Sequence, residues 1–151
     1  MKWREAVREL VHMPDGFLDS DVDRGFEATI INNTKNQTLL REALKHQNDA
    51  IRCVAISKID SQEAISSMKD DTYCLVRIVV ASRANSQDLL WSMRNDQYRY
   101  VRSVVAMRIE GYDRMSSMLL SEADTEICEA LRCRINEYQE HKMCATDEDT
   151  V

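Results

Sequence analysis

At 151 residues, 44% of them apolar and only three Gly and one Pro among them, the chain fits one domain that buries roughly two-thirds of its unfolded surface, and it is too poor in turn formers for a many-stranded sheet protein. Twenty basic against 26 acidic side chains leave a net charge of −6, with the acidic excess near the two ends, which argues against a dedicated polyanion binder. Charges run through the first ten residues with no apolar stretch behind them, and Cys53, Cys74, Cys128, Cys133 and Cys144 are unevenly spaced, so neither a signal peptide nor a membrane span is expected and the thiols suit a reducing, cytoplasmic setting.

In chain order, Trp3, Val7, Leu10 and Val11 form one face of an N-terminal helix that the Met13-Pro14-Asp15-Gly16 turn stops. Residues 1–25 read as this capping helix and its turn. Within them, Asp19 to Gly25 resembles a calcium loop, but the Gly comes one position late and Ile30 stands where a bidentate Glu is needed, so an acidic turn is expected. Phe26, Ile30, Ile31, Leu40 and Ala43 then open a repeat domain over 26–138.

A 25-residue step organises that domain. Ile51-Arg52-Cys53-Val54-Ala55-Ile56-Ser57-Lys58 aligns with Val76-Arg77-Ile78-Val79-Val80-Ala81-Ser82-Arg83 and with Val101-Arg102-Ser103-Val104-Val105-Ala106-Met107-Arg108. Val76, Val79, Val80 and Arg83 have the spacing of one helical face, and Leu89, Leu90 and Met93 make a second, so each copy holds two short helices. Ser61 and Ser86, each followed two residues later by an acid, have helix-capping chemistry, and Gly111 takes the same place in the third copy. Ile127 to Ile135 forms a partial last copy after a one-residue slip. A unit this small cannot bury its apolar face alone. The expected fold is therefore all-α: a short right-handed α-solenoid of four to five two-helix repeats, with Val54, Val79 and Val104 in equivalent buried places. Residues 139–151 lose apolar periodicity and read as a polar, unfolded tail.

The unit from Val76 through Ser86-Gln87-Asp88-Leu89-Leu90, Met93 and Asp96 to Val101-Arg102 resembles the leucine-rich repeat variant family, and it shares its Asp-then-Val-Arg element with HEAT-like repeats, whose units are longer, about 40 residues. The resemblance spans residues 26–135 and implies an α-superhelix of alternating short helices. The Asn-Pro and Thr-Pro pairs usual in such repeats are missing, with Arg83-Ala84 and Ser86-Gln87 in their place. No cysteine precedes Cys53, so the iron–sulfur cluster of some members is not carried over.

Two cationic columns follow the period. Arg52, Arg77 and Arg102, with Asp71 and Asp96 six residues before the second and third, read as an internal Asp–Arg ladder. Lys58, Arg83, Arg108 and, after the slip, Arg134 end the same helix in each copy; they suit either the helix C-terminus or a binding row for an acidic partner. Trp91, Tyr73, Tyr98, Tyr100 and Tyr112 gather in the connections, where they could pack over seams or form an interface hot spot. Cys128, Cys133 and His141 offer only three irregularly spaced zinc ligands, and no Gly-rich phosphate loop, GxSxG or HExxH occurs. The expectation is a non-catalytic module without cofactor or metal that binds another protein through Lys58, Arg83, Arg108, Arg134, Trp91 and Tyr98. Nucleic acid along the basic column is the alternative, and a homodimer by end-to-end stacking stays open.

Overall fold

The computed structural model describes residues 29–147. The expected capping helix over 1–25 and the acidic turn within it lie outside these residues. Among the described residues every regular element is a helix and none is a strand. After helical backbone over 29–33 come α1 (Gln37–Ala43), α2 (Asp49–Lys58), α3 (Gln62–Ser67), α4 (Cys74–Arg83), α5 (Gln87–Ser92), α6 (Arg99–Arg108), α7 (Tyr112–Ser121) and α8 (Thr125–Asp147). The odd-numbered helices α1, α3, α5 and α7 start at residues 37, 62, 87 and 112, and α2, α4 and α6 at 49, 74 and 99. The 25-residue step of the sequence is thus the step of the helices.

The residues form two compact units, divided between Arg83 and Ala84. In the first, α2 packs on α4, with α1 against α2 and α3 against α4. Leu39, Leu40 and Ala43 of α1, Ile51, Ala55 and Ile56 of α2, Ile65 of α3, and Val76, Val80 and Ala81 of α4 are buried. In the second, α6 and α7 both pack on α8, and α5 packs on α6. There Leu90, Val101, Val105, Ala106, Met115, Met118, Ile127 and Leu131 are buried.

The buried face is not the one expected. Val54, Val79 and Val104 do share one environment, but they are half-buried. Ile51, Val76 and Val101, with the residues four and five further on, are buried instead. At about 100° per residue, burying Ala81 and Arg77 beside Val76 and Val80 turns the helix so that Val79 falls on its flank. The expected set i, i+3, i+4, i+7 is replaced by i, i+4, i+5.

Short helices leave a large share of their backbone groups without intrahelical partners, and the chain supplies partners from side chains. Asn36 Oδ1 accepts from the N–H groups of Thr38 and Leu39 at 3.0 and 3.2 Å, and Ser61 and Ser86 hydroxyls accept from Ala64 and Leu89, each at 3.3 Å. Gly111 holds the same place before α7 with φ 90° and ψ 132°, a backbone state that side chains disfavour.

The arginine column serves the same end. Arg52 Nη1 donates to the carbonyls of His46 and Gln47 at 3.0 and 3.1 Å, Arg77 Nη1 to those of Asp71 and Thr72 at 2.8 and 3.3 Å, and Arg102 Nη1 to those of Asp96 and Gln97 at 3.0 and 3.4 Å. The other edge of the fork takes a carboxylate from the following connection. Arg52 pairs with both oxygens of Asp71 at 2.9 Å, and Arg102 with Glu122 at 2.9 and 3.2 Å. Burial alone would push the Asp71 carboxyl up; the Arg52 fork, the Tyr73 N–H and the Arg77 charge outweigh it and hold the group below its ordinary value. Glu122 is lowered by the same balance, with burial opposed by Arg102 and the N–H groups of Asp124 and Ala123.

The last helix departs from the pattern. Ile59-Asp60-Ser61, Ala84-Asn85-Ser86 and Ile109-Glu110-Gly111 each end one helix and cap the next, whereas Ile135-Asn136-Glu137 carries no Ser or Gly at the capping place. The helix therefore runs on to Asp147, and the tail expected to be unfolded from residue 139 is helical over 139–147. Tyr112 stands where α1, α3 and α5 begin with Gln, and its ring packs 6.4 Å from that of Tyr138 on the continuing helix.

Two outcomes test this account. The lowered carboxyls bind fewer protons folded than unfolded, so stability rises with pH across that interval and is lost as pH falls from about 4 through their folded values. Asp71→Asn should lower stability by about 3 kcal/mol at neutral pH and flatten the acid limb of a denaturant-midpoint profile. Gly111→Ala should cost on the order of 1–3 kcal/mol although no atom lies within 4 Å of the added methyl, because the backbone and not a clash opposes it.

Candidate protein-interaction surface

The expected binding row is placed on helix ends. Lys58 Nζ donates to the carbonyls of Ile31 and Asn32 at 3.0 and 2.5 Å, Arg83 Nη1 to that of Ile56 at 2.6 Å, and Arg134 Nη1 to that of Ala106 at 2.5 Å. Arg108 is half-buried at the end of α6. In three copies the cation thus covers carbonyls in the last turn of a helix one repeat earlier, where orphan acceptors and the negative end of the macrodipole coincide. Of the two roles open to this column in the sequence, the helix-end role accounts for these three side chains.

A glutamine column, outside the expected site, recurs at the same 25-residue step. Gln37 Oε1 accepts from the Asp60 N–H at 2.9 Å and Gln87 Oε1 from the Glu110 N–H at 2.8 Å. Gln62 Nε2 donates to the Arg83 carbonyl at 3.2 Å and Gln87 Nε2 to the Arg108 carbonyl at 3.3 Å. The amide can bridge the last carbonyl of one helix and the first free N–H beyond it, which is why an uncharged group with both a donor and an acceptor recurs at 37, 62 and 87. The matching Ser61-Gln62 and Ser86-Gln87 pairs were the signal.

Of the aromatic residues named from the sequence, Tyr73 belongs to the first unit and Trp91, Tyr98, Tyr100 and Tyr112 to the second. Trp91, half-buried at the end of α5, carries the Arg94 guanidinium 4.1 Å from its ring centre. Tyr98 and Tyr100 lie 5.4 Å apart, tilted by 57°, and Arg99 sits 5.4 Å from the Tyr100 ring. Arg99 also pairs with Asp124 and Glu126, at 3.1 and 2.7 Å. Tyr100 keeps 54% of its surface exposed and Met107 58%. Trp91 and Tyr98 are each less open than Tyr100, which the expected site left out.

A groove of about 650 Å³ opens beside Tyr112 and Tyr138, with Glu110, Asp113, Arg114 and Lys142 on its walls. Both signs of charge line it, so it selects for neither an anion nor a cation.

Among the described residues no group of three or more His, Cys, Asp or Glu side chains is arranged to hold a metal ion. Cys128 is buried with its Sγ 3.4 Å from the Glu122 carbonyl, and Cys133 is exposed 3.7 Å from Glu137 Oε1. Burial first, and then Asp49 and Asp71, push the Cys53 thiol up and away from the reactive thiolate.

If Arg83 acts as a helix-end partner, Arg83→Met should lower folding stability by about 1–2 kcal/mol in denaturant titration, a loss that a purely partner-facing arginine would not produce.

Against known proteins, the chain matches no family model, no curated protein and no solved structure.

Proposed function

We propose that the 25-residue helical pairs stack as a short right-handed α-solenoid of the leucine-rich repeat variant or HEAT-like kind, and that this module binds another protein without catalysing a reaction. The recurrence of helix starts, caps, glutamine brackets and arginine forks at one step supports the solenoid. Stacked repeats of this kind present extended surfaces, and extended surfaces suit macromolecules.

One observation carries the choice of partner. Lys58, Arg83 and Arg134 are directed to internal carbonyls, whereas the stretch from Trp91 to Tyr100 brings two arginines and three aromatic rings to the surface or half-buried beneath it. Trp, Tyr and Arg are the residues that dominate protein-interface energetics. Binding along a phosphate backbone instead needs several unengaged cations and a favourable field, and the net charge is −6.

Affinity capture from the native host should recover one or more proteins with the wild-type chain. Tyr98→Ala/Tyr100→Ala should lose them by tenfold or more in quantitative mass spectrometry while the circular dichroism spectrum stays helical, whereas charge reversal at Lys58, Arg83 and Arg108 should act only as far as it destabilises the fold. Steeply salt-dependent binding of an oligonucleotide, with no change in protein recovery for the tyrosine variant, would replace this reading by the nucleic-acid one.

A further inference from the structure

We infer that the connection between α5 and α6 is a receptor for a carboxylate side chain on an acidic segment of the protein partner, with Arg94 held over Trp91 as its anion-binding element. The inference rests on the protein-binding reading and names the partner's chemistry.

The backbone of this turn does not depend on having Trp and Arg at positions 91 and 94. In the preceding copy the same turn forms around Ser66 and Lys69: the Lys69 N–H reaches the Ser66 carbonyl at 3.3 Å, and the Asp71 N–H the Met68 carbonyl at 3.1 Å. The corresponding bonds, Arg94 to Trp91 and Asp96 to Met93, measure 3.3 and 3.1 Å. One backbone thus carries two different sets of side chains.

Those sets differ in a concerted way. Lys69 is neutralised by its neighbour Asp70, at 3.0 Å. In the next copy Ser66, Lys69 and Asp70 are replaced by Trp91, Arg94 and Asn95, so the cation becomes a planar fork, the adjacent acid disappears, and an indole ring appears beneath the fork. Arg94 Nη1 donates to the Trp91 carbonyl at 2.8 Å, and among the described residues no carboxylate pairs with this half-buried guanidinium. Arg52, Arg99, Arg102 and Arg114 each have one.

A guanidinium fixed by a ring contact and one carbonyl has already lost much of its freedom, and its remaining N–H donors match the two oxygens of a carboxylate. A single such cation on a chain of net charge −6 suits one acid of a peptide, flanked by apolar contact with the indole, better than a run of phosphates.

The chain contains two tryptophans, so Trp3→Phe leaves Trp91 as the only indole reporter in the full-length protein. Titration of that variant with an end-blocked decaglutamate peptide should produce a saturable change in indole emission. Arg94→Gln should weaken it about tenfold or more, and Asn95→Asp, which restores the acid of the preceding copy, should weaken it comparably, both with a circular dichroism spectrum that stays helical at the temperature of the titration. No saturable change, a change that survives both substitutions, or tighter binding of an oligonucleotide of equal charge would overturn the inference. If host-protein capture depends on Tyr98 and Tyr100 but not on Arg94, the carboxylate receptor falls and the protein-binding reading stands; if capture depends on none of them, that reading falls first.

Discussion

Helices of six to ten residues leave too many backbone groups unpaired at their ends, and most of the polar architecture of this chain answers that constraint. Asn36, Ser61 and Ser86 accept from free N–H groups at helix starts. Arg52, Arg77 and Arg102 collect the carbonyls of the connections, Lys58, Arg83 and Arg134 those of a helix one repeat away, and glutamine amides the groups at either side of a helix end. Charge recurs along the sequence because unsatisfied backbone recurs, and the apolar positions between supply the burial that makes these bonds worth forming.

The all-helical class and the helix starts were legible because apolar spacing, caps and a fixed step agreed. The exact face was not, since Val79 and Ala81 are both small apolar residues in an apolar run, and only packing decides which of the two turns inward. The Asp–Arg ladder was legible as a pairing of types but not in its register: Arg52 reaches an acid 19 residues later, and Arg102 takes Glu122, a residue displaced by the one-residue slip. The continuation of α8 departs from the expected tail because apolar periodicity ends near Tyr138 while no stop signal follows Ile135, and the missing stop signal decides the backbone.

In the cationic column Lys58, Arg83 and Arg134 each serve a helix end one repeat earlier. Periodicity along a chain is evidence for a role that every repeat shares, and the role common to every repeat is to hold itself together. Departures from periodicity are the better guide to recognition. Trp91, Arg94 and Asn95 stand out because their counterparts make the same turn without them, and Tyr100 stands out as a large ring left in water where the preceding copy has Leu75.

The uninterrupted course of α8 has an evolutionary consequence. Within each unit a block of the chain brings along groups that terminate its own helices and bind the ends of its neighbour's. The exception is Ile135-Asn136-Glu137, which lack the signal to reverse direction, so that α8 runs on. A duplicated block would therefore carry its own helix ends with it.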